Sequence, residues 1–207
     1  MNLQKGEIVA IIRGVAAEHV SAVARTLLDE GISWMEVSLS EEEMGLACIR
    51  TLAAEFQGRL QLGAGTVTTA EQADKAIEAG AQYIITPGWD RELTRYVLGK
   101  GVQIFPGVFS PGEVMQALAD GVEVVKLFPA GSLGSDYVKN LFGPFPRLHL
   151  MGVGGISRKN LAEFYAAGCS SFGIGSDLVP RGATREHLDA IRKSAAEYVK
   201  LVQTLKK

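Results

Sequence analysis

The chain predicts a single parallel (β/α)8 barrel spanning residues 1–207, and three observations carry that prediction. Helix-like stretches end five times in a glycine followed at once by a β-rich run, at Gly31, Gly80, Gly101, Gly121 and Gly168. A glycine there can take the left-handed backbone that stops a helix and turn the chain into a strand. Strand runs are in turn followed by Ser40–Glu43, Thr68–Glu71 and Ser110–Glu113, each with the spacing of a capping box. Strict alternation of strand and helix then forces parallel pairing through right-handed crossovers. Eight such units favour a closed barrel over the alternative, an open doubly wound sheet.

In chain order the strand candidates are IVAII, ISWMEVSL, RLQLGAG, AQYIIT, VQIF, VEVVKLF, RLHLMGVG and CSSFGIG, separated by stretches of helical apolar period. A partial internal repeat supports the same architecture, since GAGTVTTAEQADKAIEAGAQYIITPG and GVGGISRKNLAEFYAAGCSSFGIGS align with one residue of slip. No linker or low-complexity tract divides the chain.

Composition narrows the function. A net charge of −2 with both signs interspersed offers no basic face to nucleic acid or an anionic membrane, so the expected partner is a small molecule. Cys48 and Cys169 stand far apart in no metal-binding spacing, and His19, His149 and His187 are scattered, so no metal site is expected. The apolar run before Arg13 is too short for a signal or membrane segment, which predicts a cytoplasmic protein.

In a (β/α)8 barrel the active site gathers at the carboxyl ends of the strands. Two residues there break the rules of a strand interior. Lys126 in VEVVKLF shares a face with Val122 and Val124, and Glu36 in SWMEVSL shares one with Trp34 and Ser38. An inward lysine must snorkel, pair with an acid or do chemistry, and a dry site favours the neutral amine that attacks carbonyls. A Glu36–Lys126 salt bridge is the simple alternative to an acid/base role for Glu36. GVGGIS and GIGSD close the last two strands where barrels commonly hold a phosphate, with backbone N–H groups and helix dipoles as the expected anion donors.

The combination of IVAIIRG, MEVSL, LGAGTV, IITPG, FPGV, VKLFPA, GVGGIS and FGIGSDLVP resembles one family over nearly the whole chain. It is that of the bacterial 2-keto-3-deoxy-6-phosphogluconate aldolases with their 2-keto-3-deoxy-6-phosphogalactonate and 4-hydroxy-2-oxoglutarate relatives. The resemblance implies a class I aldolase in which Lys126 forms a Schiff base with a 2-keto acid and Glu36 is the general acid/base. It further implies that Thr66 holds the pyruvate portion, Phe128 walls the imine, Pro87 shapes the site, and Gly154, Gly155, Gly175 and Ser176 bind phosphate. A homotrimer is implied as well, and the implied chemistry needs no metal or organic cofactor.

Two positions depart from the pattern of many phosphogluconate aldolases. Ser40 stands where an arginine grips the substrate carboxylate, and Val153 where threonine is frequent. Arg13, at the same rim, is the candidate to replace the missing guanidinium. Two other functions fit the barrel without the resemblance: a sugar-phosphate isomerase or epimerase with Glu36 as base, and a noncatalytic phosphometabolite-binding barrel.

Overall fold

In the computed structural model, which describes residues 3–206, all strand pairings are parallel and the helices lie outside them. The elements are β1 Glu7–Ile12, α1 Ala17–Asp29, β2 Trp34–Ser38, α2 Glu42–Glu55, β3 Gln61–Gly65, α3 Ala70–Ala79, β4 Tyr83–Ile85, α4 Arg91–Gly99 and β5 Gln103–Phe105. They continue with β6 Gly107–Val108, α5 Pro111–Ala119, β7 Val124–Leu127, α6 Ala130–Leu133, α7 Ser135–Leu141, β8 His149–Val153, α8 Leu161–Ala167, β9 Ser171–Ile174 and α9 Leu188–Leu205.

The strand order β5-β4-β3-β2-β1-β9-β8-β7-β6 runs around a barrel whose two ends are successive pieces of one chain segment. The expected fifth strand is β5, which pairs with β4, and after Pro106 the chain re-pairs with β7 as β6, a strand beyond the eight candidates. Proline has no N–H to give to a ladder, so it sits where one ladder ends and the next begins. Its carbonyl joins the new ladder, accepting from Lys126 N at 2.9 Å.

All five stop glycines hold positive φ, between 74° and 123°. The capping signals fared unevenly. The Ser110–Glu113 box forms in full at the head of α5. At α3 the cap is Thr69, whose hydroxyl accepts from Gln72 N, while Thr68 bonds to the Gln72 side chain. At α2 the first turn has no side-chain cap: the helix starts one residue later than the box expects, with Glu41 at the N-cap, and the Ser40 hydroxyl accepts from Ser38 in the barrel mouth.

Strand alternation sorts the core into two shells. Ile8, Ala10, Ile12, Met35 and Val37 face the helices, whereas Val9, Ile11, Trp34, Tyr83, Phe105, Val124 and Met151 fill the barrel. Trp34, Tyr83 and Phe105 pack as tilted rings with centroids 5.2–6.3 Å apart. Together they form an apolar floor beneath the next inward layer, which contains Glu36 and Lys126. Among the described residues no helix is long and apolar enough to cross a membrane.

Candidate active site

Lys126, in β7, is inward as its parity predicts and only 6% exposed. Its Nζ donates to the Thr86 carbonyl at 3.1 Å and lies 4.9 Å from the centre of the Phe128 ring. Burial pushes the amine below the ordinary lysine range, Glu36 opposes that, and the charge of Arg13 reinforces it. Glu36, in β2, is 2% exposed, and its Oε2 is buried without a hydrogen-bond partner. Burial raises its carboxyl above the ordinary range, against the pull of Lys126 and Arg13.

The salt bridge foreseen as the simple alternative is not formed: the amine is bonded to a backbone carbonyl and the carboxyl oxygen is left open. Both groups are displaced toward their neutral forms, and the charge of each acts on the other across the barrel mouth. Space for the carboxyl comes from Gly65 in β3, where an added Cβ would stand 1.6 Å from Glu36 Oε1.

The next residue, Thr66, has φ 63°, a conformation a β-branched residue rarely adopts and one costing about 1–3 kcal/mol. Its hydroxyl lies 3.0 Å from Ser38 Oγ, which in turn reaches Ser40 Oγ at 3.2 Å. The mouth thus carries a chain of three hydroxyls on the side where Ser40 replaces an arginine.

On the opposite flank, Arg13, Phe128, Gly154, Gly155, Gly175 and Ser176 line one cavity of about 370 Å³. Arg13 is exposed at the end of β1, and among the described residues its guanidinium has no ion-pair partner, nearby Glu41 being held by Arg181 at 3.0 Å. The Arg13 guanidinium is therefore open to a ligand.

The loops after β8 and β9 differ from expectation in one respect: neither leads directly into a helix. Gly154 and Gly155 have φ of 84° and 75°, and α8 begins only at Leu161. Past β9, Leu178 N and Val179 N both donate to Gly175 O, closing one helical turn, and α9 begins only at Leu188. Any anion here meets loop N–H groups rather than the dipole of a long helix.

Asp177, beside Ser176, is braced by Tyr198 OH at 2.5 Å and Arg158 Nε at 3.2 Å, which ties the two loops together. Those partners hold its carboxyl low although burial works the other way, and Arg158 offsets its charge next to the cavity.

Pro87 is exposed at the rim, and Phe128, at 38% exposure, forms the wall between Lys126 and the cavity. Every residue named from the sequence thus lies at the carboxyl end of the barrel. The sequence did not single out Ser38 or Thr86 as site residues. Ser38 could have been found from its shared face with Glu36, whereas Thr86 acts through its carbonyl, which no side-chain pattern reports.

Comparison with known proteins adds to this geometry. The family model described as "Aldolase: KDPG and KHG aldolase" matches residues 1–194. The 2-dehydro-3-deoxy-6-phosphogalactonate aldolase of Escherichia coli is 31% identical over 93% of each chain. The KHG/KDPG aldolase of the same organism is 32% identical over 95% of this chain and 92% of its own.

Among solved structures, one described as native KDPGal superposes with a TM-score of 0.90 at 30% identity, covering 100% of this chain and 99% of the other. KDPG aldolase from Legionella pneumophila, with pyruvate captured as a covalent carbinolamine, gives 0.81 at 28% identity over 96% of this chain and 93% of its own. A family match over most of the chain, on a barrel with a buried lysine and glutamate at its mouth, leads to one conclusion: the chain belongs to the KDPG and KHG aldolase family.

Proposed function

We propose that this class I aldolase cleaves 2-keto-3-deoxy-6-phosphogalactonate to pyruvate and glyceraldehyde 3-phosphate through a Schiff base on Lys126. The observation that carries the chemistry is the pairing of a buried amine, displaced toward its neutral form, with a buried carboxyl whose Oε2 has no partner. The amine attacks the 2-keto carbon, and Glu36 delivers the proton that lets water leave the carbinolamine.

The iminium nitrogen then receives the electron pair of the breaking C3–C4 bond while the Glu36 carboxylate takes the C4 hydroxyl proton. Glyceraldehyde 3-phosphate departs, Glu36 protonates C3 of the enamine, and water hydrolyses the imine to release pyruvate. The Phe128 ring, 4.9 Å from Nζ, presents its π face to the cationic intermediate.

Binding divides between the two flanks. Thr66, with the Ser38–Ser40 hydroxyls, receives the pyruvate carboxylate, and Pro87 shapes the rim beside it. The phosphate lies against Gly154, Gly155, Gly175 and Ser176 in the cavity with Arg13. On this reading Arg13 meets the phosphate, whose cavity it lines, rather than acting as the carboxylate clamp expected from the sequence. Accordingly, Arg13→Ala is expected to raise KM for the phosphorylated substrate about tenfold, the scale of one charge-assisted hydrogen bond. The pyruvate concentration that half-saturates imine trapping should hardly change; a parallel rise in both would return Arg13 to the carboxylate.

The choice of sugar acid rests on the likeness to phosphogalactonate enzymes over whole chains, with Ser40 and Val153 departing from many phosphogluconate aldolases. Turnover of the phosphogalactonate, phosphogluconate and hydroxyoxoglutarate substrates, followed by lactate-dehydrogenase-coupled detection of pyruvate, tests it. The highest kcat/KM is expected for phosphogalactonate, and equal or higher values for either of the others refute the assignment. An isomerase or a noncatalytic barrel releases no pyruvate from any of the three. The reading includes a homotrimer, for which Phe109, Met115 and Leu118 around α5 offer exposed apolar side chains, and a cytoplasmic location, where phosphorylated sugar acids are found.

A further inference from the structure

We infer that Thr86 is a positioning residue for the nucleophile: its hydroxyl locks the loop after β4 so that its own carbonyl holds and aims the Lys126 amine. The inference rests on the assignment of Lys126 as nucleophile and adds to it a role for a residue of the IITPG stretch to which none had been given.

Three bonds meet at this residue. Its carbonyl accepts from Lys126 Nζ at 3.1 Å, its Oγ1 donates to Gly88 O at 2.7 Å, and its Oγ1 accepts from Gly107 N at 3.1 Å. A hydroxyl has one proton to give, so donation to Gly88 and acceptance from Gly107 assign its orientation without conflict. The side chain is 2% exposed, so loss of the hydroxyl leaves groups that water cannot readily reach.

The bond to Gly107 exists because of how the barrel closes. The β4–β5 ladder ends with Ile85 opposite Phe105, and the chain then switches at Pro106 to pair Gly107 with Lys126. At the switch the Gly107 N–H faces the β4 side after β4 has ended, and a buried N–H without a partner is costly. Thr86 Oγ1 supplies the acceptor. The hydroxyl therefore links the β4 loop to the very residue that stands in register with Lys126.

Close approach is built into the same place. A Cβ on Gly107 would come within 2.4 Å of Pro87 O, so only glycine lets the two loops meet. Pro87 itself fixes its own φ and shortens the lever between the Thr86 carbonyl and the Gly88 anchor. The carbonyl is thus held from both sides, by the strand before it and by the Oγ1 bridge after it.

What the carbonyl does is chemical as well as mechanical. An amine with one N–H directed at Thr86 O cannot rotate freely, so its lone pair keeps one side for the incoming keto carbon. A displacement of about 1 Å in such an arrangement is enough to slow a reaction about a hundredfold. The Glu36 carboxyl, with its open oxygen, needs the nitrogen in a fixed place for the proton transfers that follow.

The test uses the full chain with Thr86→Ser, Thr86→Ala and Thr86→Val, so that the hydroxyl and the side-chain volume vary separately. Borohydride trapping with pyruvate gives the rate of imine formation on Lys126, and steady-state assays give kcat and KM for the phosphorylated substrate. T86A and T86V are expected to form the imine about 10- to 100-fold more slowly and to lose kcat in proportion, with KM changed less than about threefold. T86S should stay within about threefold of the wild-type rate.

Circular dichroism and melting curves establish that each variant is folded. If T86V fails to fold, the T86A–T86S pair decides. Wild-type trapping rates in folded T86A or T86V overturn the inference, as does a loss confined to melting temperature. Failure of the wild-type protein to trap pyruvate on Lys126 is a different result, since it removes the nucleophile assignment itself.

Discussion

Replacing Lys126 with methionine is expected to lower kcat/KM on the order of 10⁴-fold or more and to abolish the pyruvate adduct formed in the presence of borohydride. The size follows from what the amine supplies. Without it the C3–C4 bond must break with no electron sink in place, and the gain from holding a nucleophile against its target, which can reach effective molarities of about 10⁵ M and above, is lost. Methionine keeps the length of the side chain and suits the apolar layer formed by Met151 and Val124, so the fold should survive.

Stability gives an independent sign. Burial lowers the Lys126 pKa in the folded chain, so in the window between the folded value and the ordinary lysine value of 10.5 the unfolded chain binds the extra proton. Stability of the wild type should rise with pH through that window, and Lys126→Met should remove this part of the rise. Reduction followed by peptide mapping decides the main point: an adduct on a different lysine, or activity retained by Lys126→Met, ends the case for this nucleophile.

Why these residues could be found from sequence alone, and others could not, has a physical pattern. Lys126 and Glu36 were legible because a charge at an inward parity of a buried strand conflicts with its surroundings, and the conflict is visible in a window of a few residues. The five stop glycines were legible for the same local reason, and each holds positive φ. The way the barrel closes was not. VQIF reads as the strand, and only the presence of β7 beside Gly107–Val108 makes a further strand after Pro106.

The helix starts expected after the phosphate loops failed through local competition. Asn160 accepts from Ser157 N and donates to Gly155 O, which holds that stretch in turns until Leu161. Past β9, Pro180 and Gly182 come before the helix, and the long α9 starts only after them. At α2 the hydroxyl that would have capped the helix serves the active-site mouth instead, a use that depends on Ser38 and Thr66 arriving from other strands. Site chemistry carried by side-chain charge was thus readable, and that carried by the Thr86 carbonyl and by the chain crossing at Pro106 was not.

For Glu36→Gln the expected loss in kcat is about 10²- to 10⁴-fold, the range of a general acid/base, with pyruvate still able to add to Lys126 slowly. Gln keeps the shape beside Gly65 but cannot exchange a proton in any of the three transfers assigned to Glu36. The pH dependence separates this role from simple packing. Burial raises the carboxyl pKa and lowers that of the amine, so the two groups are drawn toward each other and titrate as a pair.

Removing the carboxyl should therefore move the amine as well: with the Glu36 charge gone, Arg13 still acts on Lys126 and lowers its pKa with no acid to oppose it among the described residues. The surviving slow trapping in Glu36→Gln should accordingly reach its plateau at lower pH than in the wild type. Stability should change in a defined direction too. Between the ordinary carboxyl value of 4.5 and the raised folded value, the folded wild type holds a proton that the unfolded chain has released, so wild-type stability falls as pH rises through that window.

Glu36→Gln lacks this fall, and its melting temperature relative to wild type should be higher above the window than below it. Melting curves across pH, set beside the trapping profile, test both statements. A variant whose activity drops while both pH profiles stay unchanged would show that Glu36 shapes the mouth without titrating in it. The open Oε2, facing an amine that is itself held by a backbone carbonyl, argues for the titrating role: a carboxyl retained only for shape has no reason to keep an unbonded oxygen at the one point where protons must pass.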